Sequence, residues 1–142
     1  MKKAKKIPAY PSPSRATMGG KSRRSPLAFE EALSLLKAEI EKEGFWLLAE
    51  IDPQKLALKA GHEIPPARQL LFFHPDYLLR LLEASPEALI EVPLKLAILD
   101  LAEGGVLVSH TRPSEILAPY PGLSDLAEEL EAKVKAIIGC LG

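Results

Sequence analysis

The sequence predicts an α+β domain, with helices packed on one face of a largely antiparallel sheet, and three observations carry that expectation. Apolar residues change period along the chain, in the order helix, strand, helix, strand, helix, hairpin, helix. The stretch Glu91 to Asp100, EVPLKLAILD, places Val92, Leu94, Leu96 and Ile98 in one row of a strand. Ala102-Glu103-Gly104-Gly105, between two such strands, suits a tight antiparallel turn.

The first helix is expected from Ser25-Pro26, a capping residue followed by a proline whose missing N–H costs nothing at the first helical position. Phe29, Ala32, Leu33, Leu36 and Ile40 recur at helical spacing, and Gly44 ends the run. FWLLAEI (45–51) is apolar and aromatic enough for a buried strand. Asp52-Pro53 then signals a short helix that stops at Gly61. After a loop over 62–66, RQLLFFH (68–74) reads as the next strand and 75–84 as a helix with Tyr77, Leu78, Leu81 and Leu82 on one side. The hairpin LKLAILDL and VLVSHT follows, then a helical turn over 113–117. Ser124 is placed to cap a last helix whose inner stripe is Leu126, Leu130, Val134, Ile137 and Ile138.

A chain of 142 residues is expected to hold a single α+β domain over residues 27–142, preceded by a basic tail. Residues 1–26 carry eight Lys or Arg and no acid, whereas residues 27–142 carry ten bases against nineteen acids, a formal +8 against −9. The tail is rich in Pro, Ser, Gly and Lys without hydrophobic period, so disorder is the expectation there, and Met18 offers an alternative start. Tyr10 is the tail's lone aromatic, which argues against specific nucleic-acid readout and leaves nonspecific contact with polyanions at low salt. No apolar run reaches the roughly 18 residues that would span a bilayer, and the N-terminus lacks the apolar segment of a signal peptide, so a cytoplasmic protein without a membrane partner is expected. The lone Cys140, two residues from the end, reads as an exposed thiol.

Several segments together resemble a known family. IDPQKLALKAG, FFHP, SPEALIEVPLKLAILD and GGVLVSHTRP are similar to the bacterial and archaeal family called domain of unknown function 302. Its members read Ile-Asp, a small-residue helix ending in Gly, a strand ending in Phe-Gly-Asn-Pro, a proline before a Leu-Pro-Leu-Lys strand, and a hairpin exit ending in proline. Asp52, Gly61, Pro66, Phe72, Pro75, Pro86, Pro93, Leu94, Lys95 and Pro113 fall at the matching spacings, and the likeness runs from Phe29 to Ile138. Phe73-His74 stands where the family has Gly-Asn, His110 where it has a hairpin tyrosine, and the strand that usually precedes the family's first helix is not legible in TMGGKSRRSP. The resemblance implies a TATA-binding-protein-like α+β fold, often paired as a homodimer, with no agreed activity.

Among single residues, Lys95 comes first as a ligand-binding candidate. In a strand it points with Pro93, Ala97 and Leu99, opposite the row that faces the helices. Three readings are open: an exposed amine lying over that face, an ion pair with Asp52 or Glu50 across the sheet or across a dimer interface, or a functional amine that binds an anion or acts as a nucleophile. Pro93 lacks a donor and belongs at a strand start or an edge. Asp52 is placed to cap the short helix and is the second candidate. His74, before Pro75, and His110 complete the set. Neither lies within ligand spacing of the other or of His62, so no metal site is expected. No nucleotide-binding glycine loop, Gly-x-Ser-x-Gly elbow or Cys-His pair is present, and no cofactor is expected.

Two functional readings follow. The favoured one is a non-enzymatic homodimeric binding module, in which the second apolar face of the sheet meets a protein partner or a small anionic ligand. The other is an enzyme using Lys95, with Asp52 or His74 as proton-transfer partner.

Overall fold

A computed structural model describes residues 3–13 and 21–142. Five strands form one antiparallel sheet: β1 (Ser22–Ser25), β2 (Trp46–Ile51), β3 (Ala67–Phe73), β4 (Leu94–Asp100) and β5 (Val106–His110), in spatial order β1-β5-β4-β3-β2. The helices are α1 (Phe29–Lys42), α2 (Pro53–Leu58), α3 (Pro75–Ala84), α4 (Pro113–Ile116) and α5 (Ser124–Gly139), with a 3-10 segment at Pro86–Glu91 that the sequence reading did not anticipate. This is the α+β architecture expected.

The register fixes which side chains share a face. Leu96 pairs with Leu70 and His110, Ile98 with Arg68 and Val108, and Leu94 with Phe72. Paired residues project to the same side, so these form one inner row. Leu94, Leu96, Ile98, Val108, Leu70 and Phe72 are fully buried there, against Leu36 and Ile40 of α1 and Leu130, Val134 and Ile137 of α5. Each such side chain contributes about 1.5–3 kcal/mol of transfer free energy. Phe45, just before β2, meets the Phe72 ring edge-on at 5.1 Å and seals that end of the core. Pro93 immediately precedes β4, where its missing donor leaves no gap in the ladder.

Gly44 follows the capping residue Glu43 with φ +89°, as the expected end of α1 requires. The start of α1 differs from the expectation. Ser25 ends β1, and Ala28 precedes the helix with no side-chain cap. Ser124 is likewise the first residue of α5, with Leu123 before it and no side-chain cap.

The tail assignment over residues 1–26 needs correcting at two places. Ser22–Ser25 pairs with β5, and the Arg23–Val108 and Ser25–Val106 pairs put Arg23 and Ser25 in the inner row. Their ladder bonds come from backbone groups, which a run of polar side chains does not advertise. Gly105, read from the sequence as a turn residue, also serves β1: a Cβ there would collide with the Ser25 carbonyl. Residues 3–13 form a strap along the far end of the sheet. Ile7 donates to Glu63 O (2.9 Å), Glu63 to Lys5 O (3.0 Å) and Ala102 to Tyr10 O (2.9 Å), while the Tyr10 hydroxyl donates to Pro65 O at 2.9 Å. Met18 lies outside the described residues.

The strap closes one end of the outer face. Arg24, opposite Leu107 in the outer row, donates to Pro13 O at 2.8 Å, so residues 10–13 cross that end. Ala67, Leu101 and Leu107 are buried there, outside the inner core. Cys140 is half-buried rather than frayed, with Leu141 buried beside it, and burial first, then Glu39, pushes its thiol above the ordinary range. No helix among the described residues is long and apolar enough to cross a membrane.

Candidate functional site

Lys95 stands in the outer row of β4, opposite Leu71, and its side chain is exposed. Within one chain, Lys95 does not pair with Asp52 or Glu50. Glu50 faces the inner side, opposite Leu70, where Arg68 Nε lies 3.2 Å from its Oε2 and Lys37 forms a second ion pair. Arg68 Nη1 also reaches Asp52 Oδ1 at 3.1 Å. One inner-row arginine therefore absorbs both carboxylates that the sequence offered to Lys95.

Asp52 is the cap of α2. Its Oδ1 accepts from the N–H of Gln54 at 2.9 Å and of Lys55 at 3.2 Å, satisfying two orphan donors of the first turn. His74 performs the same task for α3, its Nδ1 accepting from Asp76 N–H at 3.0 Å. The ring packs against Trp46 at 5.2 Å and Tyr77 at 6.2 Å. Both candidate proton-transfer groups are thus engaged in helix starts.

His110 occupies the inner row at the end of β5, opposite Leu96. Lys95 is its near neighbour by backbone, with Thr111 N–H donating to Lys95 O at 3.2 Å, but the two side chains leave from opposite faces of the sheet. The His110 Nδ1 lies 3.0 Å from Thr111 O, so that nitrogen carries a proton and donates. His62 is separate again, accepting from Lys5 N–H at 3.0 Å. Among the described residues, no three His, Cys, Asp or Glu side chains converge on a point that would hold a metal ion.

The sequence reading missed the surroundings of His110. A cleft of about 440 Å³ opens between the ends of β1 and β5 and the outer turn of α5. Arg23, Arg112, Lys135 and His110 line it over an apolar floor of Val134 and Ile138, and Glu131 is its one carboxylate. Glu131 is already engaged: its Oε1 accepts from Ser114 N–H at 3.0 Å and Ser114 Oγ at 2.9 Å, and its Oε2 lies 3.4 Å from Arg112 Nε. Burial acts to raise the Glu131 carboxyl, but the two Ser114 bonds and the Arg112 charge outweigh it and hold the group below the ordinary glutamate range. A carboxylate from α5 thereby caps α4, a contact between residues seventeen positions apart. Arg23 donates to Ile138 O at 3.5 Å and to Gly142 O, which anchors it at the end of α5.

The fold defines a small α+β protein with one antiparallel sheet, in which, among the described residues, Asp52 and His74 stand at helix starts and His110 borders a cationic cleft. The chain belongs to the family described as domain of unknown function DUF302, whose model matches residues 21–141. It is similar to the crystal structure of an uncharacterized conserved DUF302 protein from Bacillus stearothermophilus, with 18% identity and a TM-score of 0.76. That likeness covers 85% of this chain and 96% of the other. At that identity it is a likeness of fold. No curated protein matches the chain.

Proposed function

We propose that the protein is a non-enzymatic binding module that pairs with a second copy of itself through β2. The observation that carries this reading is the exposure of an apolar edge strand. β2 has β3 as its one neighbour in the sheet, yet Trp46 is 57% and Leu48 52% exposed. α2, which follows directly, adds Leu56 at 64% and Leu58 at 65%. An exposed strand edge rich in large apolar side chains is a surface that proteins cover.

A second copy fits this edge. Antiparallel pairing of β2 with its equivalent about a two-fold axis would continue the sheet and place the same apolar side chains together from both copies. Glu50, the strand's charged residue, is neutralised by Arg68 and Lys37, so close approach brings no unmatched charge to the axis. The β-bulge between Leu47 and Ala49 turns Leu48 outward as an extra projecting side chain. Lys95 then lies on the open part of the outer face, two strands from the axis, as a solvated cation of that surface.

Sedimentation equilibrium of the full chain tests the proposal. Wild type is expected to sediment as a dimer and Leu48→Glu as a folded monomer, since residue 48 is exposed and its replacement leaves the core intact. A wild-type monomer, or a variant that pairs as well as wild type, overturns it.

A further inference from the structure

The cleft beside His110 differs in chemical character from the β2 surface, and what it could hold is a separate question. The answer rests on the reading of the chain as a binding module but not on pairing. We infer that Arg23, Arg112, Lys135 and His110 form a site for a small organic oxyanion, a phosphate or carboxylate group attached to a compact apolar body.

Charge is the first argument. Residues 27–142 carry a formal −9, yet two of their cations, Arg112 and Lys135, join Arg23 in lining this one cleft, where Glu131 is the single carboxylate. Like charges crowded on an otherwise acidic body repel one another and raise the local potential, and an anion relieves that repulsion. Glu131 brings one negative charge, 3.4 Å from Arg112, and so offsets only part of the group, while its Oε1 is taken up by Ser114. Among the described residues, Lys135 has no carboxylate within 4.0 Å, whereas Lys21 and Arg112 approach Glu115 at 2.6 and 3.9 Å.

Preorganisation is the second. Arg23 is oriented towards the end of α5 by the Ile138 and Gly142 oxygens and Arg112 towards Glu131, so both guanidinium groups have partners that aim them at the cleft. Each retains N–H donors in the planar fork that matches phosphate and carboxylate oxygens. The Thr111 carbonyl takes the His110 Nδ1 proton and orients the ring, and Nε2 donates to an oxyanion only when the ring carries its second proton. The third argument is shape: about 440 Å³ lies within the range of small-molecule sites, roughly 300–1,000 Å³. Val134 and Ile138 give the organic part of the ligand an apolar floor.

Titration of the full chain with inorganic phosphate, pyrophosphate and succinate, at matched ionic strength and followed by amide and imidazole NMR signals, tests the site. At least one anion is expected to shift His110 and Lys135 saturably at millimolar concentration or below, and phosphate against succinate identifies the preferred oxyanion. Lys135→Glu, an exposed substitution, is expected to weaken binding at least about tenfold, the equivalent of one hydrogen bond to a charged group. Lys95→Glu makes the same charge change on the other face of the sheet and is expected to leave binding unaltered. Leu48→Glu is expected to bind the anion normally even where pairing is lost, which separates this site from the dimer. Absence of saturable shifts with all three anions, or equal weakening by the Lys95 and Lys135 variants, overturns the inference.

Discussion

The guanidinium of Arg68 lies 3.1 Å from Asp52 Oδ1, the same oxygen that accepts the first N–H groups of α2. One carboxylate therefore closes a helix and ties it to the inner row of β3. Asp52→Asn keeps an oxygen for the cap and loses the ion pair, whereas Asp52→Ala loses both. The alanine variant is expected to cost about 0.5–2 kcal/mol through the cap, with the asparagine variant between it and wild type. Urea unfolding measures the series; an asparagine variant as unstable as alanine would assign the whole effect to the ion pair.

Glu131 makes stability depend on acid. Its folded carboxyl is held below the ordinary range, so the stabilisation it supplies is fully present above the unfolded value of about 4.3 and is lost as pH falls through the folded value. Glu131→Gln keeps an acceptor for Ser114 but removes the charge beside Arg112. The variant is expected to be about 1–2 kcal/mol less stable near neutrality, with the two curves converging in acid. Thermal melts across that pH range check the sign, and parallel curves would place the stabilisation outside the carboxyl's ionisation.

The two faces of β4 should respond differently to truncation. Leu96 is fully buried between the sheet and the helices, while Lys95 beside it is exposed. Leu96→Ala is expected to cost about 2–5 kcal/mol, and Lys95→Ala about 0.5 kcal/mol or less. Denaturant midpoints of the two variants are sufficient. A large loss from Lys95→Ala would mean that the amine is engaged in the assembled protein.

The division between inner and outer rows was legible because alternation is a local property: Leu94, Leu96 and Ile98 announce their face without reference to any other strand. Asp52 as a cap was legible for the same reason, since its partners are two and three residues away. What escaped the sequence was set by distant pairing. SRRS offers no apolar alternation, and β1 exists because its backbone completes the edge of β5 and Gly105 leaves room for Ser25. With β1 unrecognised, Arg23 counted as one more tail charge, and its meeting with Arg112 and Lys135 around His110 had no local signal. Arg68 was similarly unread as the partner that draws Asp52 and Glu50 away from Lys95.

The strap raises the last expectation, because it is held by few bonds yet covers an apolar end of the sheet. Tyr10 is its main anchor: the backbone carbonyl accepts from Ala102, the hydroxyl donates to Pro65 O at 2.9 Å, and burial pushes the phenol above its ordinary range. Tyr10→Phe removes the hydroxyl alone and is expected to cost about 0.5–1.5 kcal/mol, the net worth of one hydrogen bond. Tyr10→Ala also removes the ring and is expected to free the strap, since exposed bonds such as Lys5 N–H to His62 Nδ1 resist competition with water poorly. Faster amide hydrogen exchange at Ile7, Glu63 and Ala102, with unchanged protection at Leu96 and Ile98, is the expected pattern in the alanine variant. Equal loss of protection in β4 would show instead that strap and sheet unfold together, making residues 3–13 part of the cooperative core rather than a cover laid over it.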